Sequence, residues 1–113
     1  MAKRFIMSAN RITRKPLGGR TKQSEKKVEK ALRTAVQKAG GIPVKMALMG
    51  TRGFPDQLIM MPGGRIAFVE CKTTGEKLKP RQIVWRDWLL DMGFKWHLLD
   101  HTDDIPDIIK SMQ

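Results

Sequence analysis

From Ser24 the apolar residues recur at helical spacing, Val28, Leu32, Ala35, Val36 and Ala39, until Gly40 and Gly41 interrupt them. Ser24 is the candidate cap of this first helix. Over 40–49 the pattern turns to alternation, with Val44, Met46 and Leu48 set against Lys45, which predicts a strand. The loop Gly50, Thr51, Arg52, Gly53 leads into FPDQLIMMPGGRIAFVECK at 54–72. That stretch reads as a strand opened by Asp56, a turn at 62–64 and a second strand. Ile66, Phe68, Glu70 and Lys72 fall on one face of the second strand, because successive strand residues face opposite sides. After a polar loop at 73–77, Pro80 looks like the first residue of a helix reaching about Met92, with Trp85, Trp88, Leu89 and Met92 as its inward stripe. Residues 94–99 alternate as a last strand, and 103–112 form a short closing helix. The predicted order is αβββαβα, an α/β fold with a mixed central sheet of about four strands flanked by helices.

Charge adds a partner to this picture. The 113 residues carry 22 Lys and Arg against 11 Asp and Glu, a formal net charge of +11. Residues 1–23 hold seven of the basic residues and no acid, leaving +4 for the rest. A polyanion is the expected partner. Residues 1–23 read as a flexible basic arm ahead of a domain at 24–113, with Arg11, Arg14, Lys15 and Arg20 as phosphate contacts. The same composition also describes a mitochondrial transit peptide. Lys45 and Arg52 are further candidates for phosphates beside a reacting bond. The single cysteine, Cys71, excludes an internal disulfide framework and fits a reducing cytoplasm. No apolar run is long enough to span a bilayer, so a soluble protein is expected, with no membrane partner.

The candidate chemistry lies in the hairpin. Folding the first strand back on the second brings Asp56 near Glu70 although 14 positions separate them, with Lys72 close by. Two carboxylates suit a hard divalent cation such as magnesium, which prefers oxygen ligands and keeps positions for water and phosphate. A lysine beside them can hold or deprotonate the attacking water. On the first helix, Glu25 lies roughly 45° from the centre of the apolar stripe and Glu29 roughly 85°, so Glu25 is the better aimed at the core. Gln82 falls three residues before Trp85, on the predicted inward face, where a buried amide needs a partner. His97 and His101 have no ligand-spaced partners.

The run GFPD, then PGGRIAFVECK, then a Pro-initiated helix with Arg81 and Gln82, resembles the VRR-NUC family of the PD-(D/E)xK nuclease superfamily, over about 24–109. The resemblance implies a restriction-endonuclease-like core. It also implies a metal site of Glu25, with Glu29 in reserve, Asp56, Glu70 and the backbone carbonyl of Cys71, holding Mg2+ or Mn2+. Lys72 would act on the water, and Gln82 would support the site. The family likeness further implies a DNA endonuclease acting on branched DNA such as Holliday junctions. It suggests a homodimer of phage type, working in the host cytoplasm. The competing readings are a catalytically idle nucleic-acid-binding protein on the same fold and a nuclease directed at RNA.

Overall fold

The computed structural model describes residues 20–47 and 52–113. Their elements are α1 (Glu25–Lys38), β1 (Ile42–Lys45), β2 (Gln57–Met61), β3 (Arg65–Cys71), α2 (Pro80–Asp91), β4 (Lys95–Leu99) and α3 (Ile105–Ser111), the last entered through a 3-10 turn at Thr102–Asp104. This is the predicted order. Four strands form one mixed sheet in the order β1-β2-β3-β4, antiparallel except for the parallel β3 and β4 pair.

β3 is an internal strand paired on both edges, and its composition explains why. Ala67, Val69 and Cys71 point to one side, where they pack with Ile59, Met61 and Leu99 against Val28, Leu32 and Val36 of α1 and against Ile105 and Ile108 of α3. Phe68 points to the other, where it joins Trp96 beneath Leu89 and Leu90 of α2. A strand apolar on both faces can be buried on both faces, as internal strands of layered folds are. The β2–β3 turn passes through Gly63 and Gly64 at φ of 87° and 75°, a left-handed pair that glycine adopts without steric cost.

α1 begins where the sequence placed it, with the Ser24 hydroxyl accepting from the Lys27 amide at 3.2 Å. Among the described residues β1 pairs with β2 only from Ile42 to Lys45, and residues 48–49 of the predicted strand 40–49 lie outside the described residues.

The predicted inward stripe of α2 needs correction. Trp88 and Met92 are 55% and 63% exposed, Trp85 is half-buried, and Leu89 and Leu90 carry the packing. The buried face is turned by about one residue's rotation, roughly 100°. Leu90 is covered because Trp96 and Phe68 rise to meet it, while Val84, Trp88 and Met92 are left as an outward apolar strip.

Residues 20–23, which the sequence assigns to the arm, pack on the domain. Arg20 forks onto both oxygens of Asp104 at 3.2 and 2.9 Å, and buried Gln23 bonds Thr74 and Thr102.

Candidate active site

The β2–β3 register pairs Gln57 with Val69 and Leu58 with Phe68, so one step further it sets Asp56 across from Glu70. Both carboxylates are fixed. The Cys71 amide donates to Asp56 Oδ1 at 3.1 Å, and the Asp56 carbonyl accepts from the Met46 amide at 2.8 Å. Glu70, 6% exposed, receives Gln82 Nε2 on its Oε2 at 3.2 Å. The two bonds come from different elements and leave the second oxygen of each carboxylate outside them.

Electrostatics record how poorly this pair tolerates two negative charges. Burial, then the charges of Glu25 and Glu29, push Asp56 up to about 6 against the lowering effect of the Cys71 amide. Burial, then the neighbouring Asp56, push Glu70 up to about 8, with Lys72 pulling the other way. Carboxylates held together without a compensating cation are what a divalent ion would relieve, and magnesium commonly uses only one or two protein carboxylates. The donor set therefore fits such an ion. Among the described residues no three Asp, Glu, His or Cys side chains are arranged to hold a metal by themselves.

Glu25 sits in the first turn of α1 and is exposed, so the wheel's inward aim does not carry over to the helix end. Its charge nonetheless acts on both Asp56 and Glu70, whereas Glu29 acts on Asp56 and is bridged to Lys45 at 3.2 Å. Lys72 continues β3 past its last paired residue. Its amide bonds the Leu99 carbonyl at 2.9 Å, and its buried Nζ lies 3.8 Å from Glu76 Oε2. From this buried position its charge acts on Glu70.

One helix organises both halves of the site. Gln82 accepts from the Lys79 amide at 2.8 Å, capping α2 with the same side chain that holds Glu70. Three residues on, Trp85 Nε1 donates to the Arg52 carbonyl at 3.0 Å. Gly53 lies so close to Arg81 that an added Cβ would stand 2.6 Å from backbone carbon and oxygen. Phe54 meets Trp85 and Phe68 edge to face at 4.9 and 5.5 Å. The GFPD segment is thus pressed onto α2, which places Asp56.

Other predicted contacts are distributed unevenly. Lys45 is 62% exposed although paired with Glu29, and Arg52 is exposed. The Arg20 guanidinium is engaged by Asp104 and only 9% exposed, which removes it from the free cations of the arm. Arg11, Arg14 and Lys15 lie outside the described residues. His101 caps the 3-10 turn through Nδ1, which accepts from the Asp103 amide at 3.1 Å. Cys71 faces the core, and burial raises its thiol far above the ordinary range, so its side chain is inert at neutral pH.

Sequence reading missed one pair. Gln57, fully buried, accepts Arg33 Nη1 at 2.9 Å. The available signal was phase: Gln57 shares the inward parity of Ile59 and Met61, an unusual place for an amide.

No protein-family model matches the chain. The chain is 43% identical over 79 residues to the protein named "Putative nuclease p44" of Acyrthosiphon pisum secondary endosymbiont phage 1, covering 70% of this chain and 85% of that protein. A solved VRR-NUC domain superposes with a TM-score of 0.73 at 24% identity, over 80% of this chain and all of the other. The chain thus belongs to the family of the phage protein p44 and has the fold of a VRR-NUC domain.

Proposed function

We propose that this protein is a metal-dependent endonuclease that hydrolyses phosphodiester bonds in DNA, with branched DNA as its preferred substrate and a homodimer as its working form. The observation that carries the reading is the half-buried Asp56 set across from buried Glu70, with the charge of buried Lys72 acting on Glu70 and Gln82 joining Glu70 to α2. A bound Mg2+ or Mn2+ would neutralise charge at the reacting phosphate and make a water more acidic. Asp56, Glu70 and the Cys71 carbonyl would hold the ion, with Glu25 reaching in from α1. The Cys71 amide and Gln82 fix the two carboxylates so that their remaining oxygens need not reorganise. Lys72, anchored through its amide to β4, orients the attacking water or takes its proton.

The kinship to a phage protein named as a nuclease supports the hydrolase class. The net charge of +11 supports a nucleic acid partner. Exposed Val84, Trp88 and Met92, one turn apart on α2, support self-association, since such strips are seldom left to solvent.

The test is a labelled four-way junction incubated with Mg2+ or Mn2+, comparing wild type with Asp56→Ala and Lys72→Ala, and with duplex DNA and RNA as alternative substrates. Cleavage by wild type, lost in both variants and greatest on the junction, is the expected result. Tight binding without cleavage of any of these would instead identify an idle nucleic-acid-binding protein, and preferential cutting of RNA would redirect the substrate.

A further inference from the structure

Helix α1 carries five basic and two acidic residues, and the charges of both acids act on the site. Glu25 acts on Asp56 and Glu70, and Glu29 is bridged to Lys45. The cations are left over. Lys26, Lys27, Lys30 and Lys38 have no acidic partner among the described residues, in contrast to Arg20, Lys45, Lys72 and Arg86, which do.

These charges are ordered. At 100° per residue, Lys26, Lys30, Arg33 and Gln37 fall within roughly 60° of one another and form a stripe along the helix. The stripe walls a groove of about 390 Å³ that Lys45 of β1 closes on the other side. Glu29, the acid whose field reaches Asp56, also lines it, so the groove adjoins the carboxylates.

Arg33 is not a loose surface charge. Gln57 Oε1 holds its Nη1 at 2.9 Å, and Gln57 is fully buried in the strand position that follows Asp56. The rest of the guanidinium stays available. A rigid link therefore runs from the carboxylate strand to the groove, fixing their separation.

We propose that the outer face of α1, centred on Lys26, Lys30 and Arg33, is a phosphate track that carries the duplex arm beside the bond being cut. This rests on the nuclease reading and names how that site grips its substrate. From Lys26 to Arg33 the helix rises about 10 Å. Duplex DNA advances about 3.4 Å per base pair, so the track spans about three phosphates of one strand.

The test is a salt titration of binding to duplex and junction DNA in Ca2+, comparing wild type, Lys26→Gln/Lys30→Gln, and the charge-matched control Lys95→Gln/Lys110→Gln. All four positions are exposed. Each lost phosphate contact removes about 0.9 from the slope of log affinity against log salt. The track double variant should lose about 1.8 in slope. Its affinity would then fall about tenfold less than that of wild type between 50 and 200 mM salt. The control should keep the wild-type slope. A track variant with an unchanged slope, or a control that loses as much, overturns the proposal while wild-type binding and cleavage leave the nuclease reading standing. Wild-type protein that binds no DNA overturns both.

Discussion

Gln82 Nε2 donates to Glu70 Oε2 at 3.2 Å while Gln82 Oε1 accepts from the Lys79 amide at 2.8 Å, so one amide both starts α2 and holds a carboxylate of the site. Replacing Gln82 with Ala breaks both bonds. Loss of the cap should cost about 1 kcal/mol in a urea melt. Metal affinity and cleavage rate should each fall by about 10-fold to 100-fold, the usual effect of removing a group that orients a ligand. A wild-type rate in Gln82→Ala would show that Glu70 needs no such support.

The two carboxylates make stability depend on pH. Their folded pKa values are raised, to about 6 for Asp56 and about 8 for Glu70, so the folded protein retains protons that the unfolded chain has already released. Their contribution is greatest below the unfolded values near 4 and declines as pH rises toward 8. His97, lowered from 6.5 to about 4 by burial and then Lys95, acts the other way, costing stability as pH falls from 6.5 to 4. Above 6.5 the decline therefore belongs to Glu70. Glu70→Gln should remove it and raise the melting temperature at pH 8 by about 4 °C or more, the equivalent of about 1 kcal/mol after allowance for solvent screening. Mg2+ should stabilise wild type more at pH 8 than at pH 6.5, and Glu70→Gln little at either.

Two glycines separate crowding from backbone strain. Gly53 has φ of +85° and faces the Arg81 backbone at 2.6 Å, whereas Gly64 has φ of +75° with nothing within 4 Å. Gly64→Ala should cost only the left-handed penalty, about 1 kcal/mol. Gly53→Ala should cost more than about 2 kcal/mol and, by prising the GFPD segment from α2, reduce cleavage as well. Equal losses of stability in the two variants would refute close packing at Arg81.

Truncation should be sharply sensitive to where it falls. Removing 1–23 strips Asp104 of its Arg20 fork and Thr74 and Thr102 of Gln23. Removing 1–19 leaves those bonds in place. The longer deletion should destabilise the protein by about 3 kcal/mol relative to the shorter, read as a drop of more than about 10 °C in melting temperature. Matching melting curves would mean that these contacts contribute nothing.

Trp88, 55% exposed, stands between Val84 and Met92 on the outward strip of α2. Trp88→Asp should convert a dimer to a monomer in sedimentation equilibrium at micromolar concentration, since burying an unpaired carboxylate in an apolar interface costs several kcal/mol. A monomeric wild type, or a variant that still dimerises, would remove this strip from the assembly.

The amino-acid sequence by itself settled the element order and the convergence of Asp56 with Glu70. Each follows from local periodicity and from the short turn at Gly63 and Gly64, which fixes strand register within a few residues. Only the tertiary structure decided which side of α2 is inward, because a helix with apolar residues on several faces is oriented by what packs on it, here Phe68 and Trp96. It likewise decided that Arg20 belongs to Asp104 and Arg33 to Gln57, pairings across 84 and 24 positions that no local spacing encodes. Charge is legible along a chain, but the partner that uses it is chosen by contacts between distant segments.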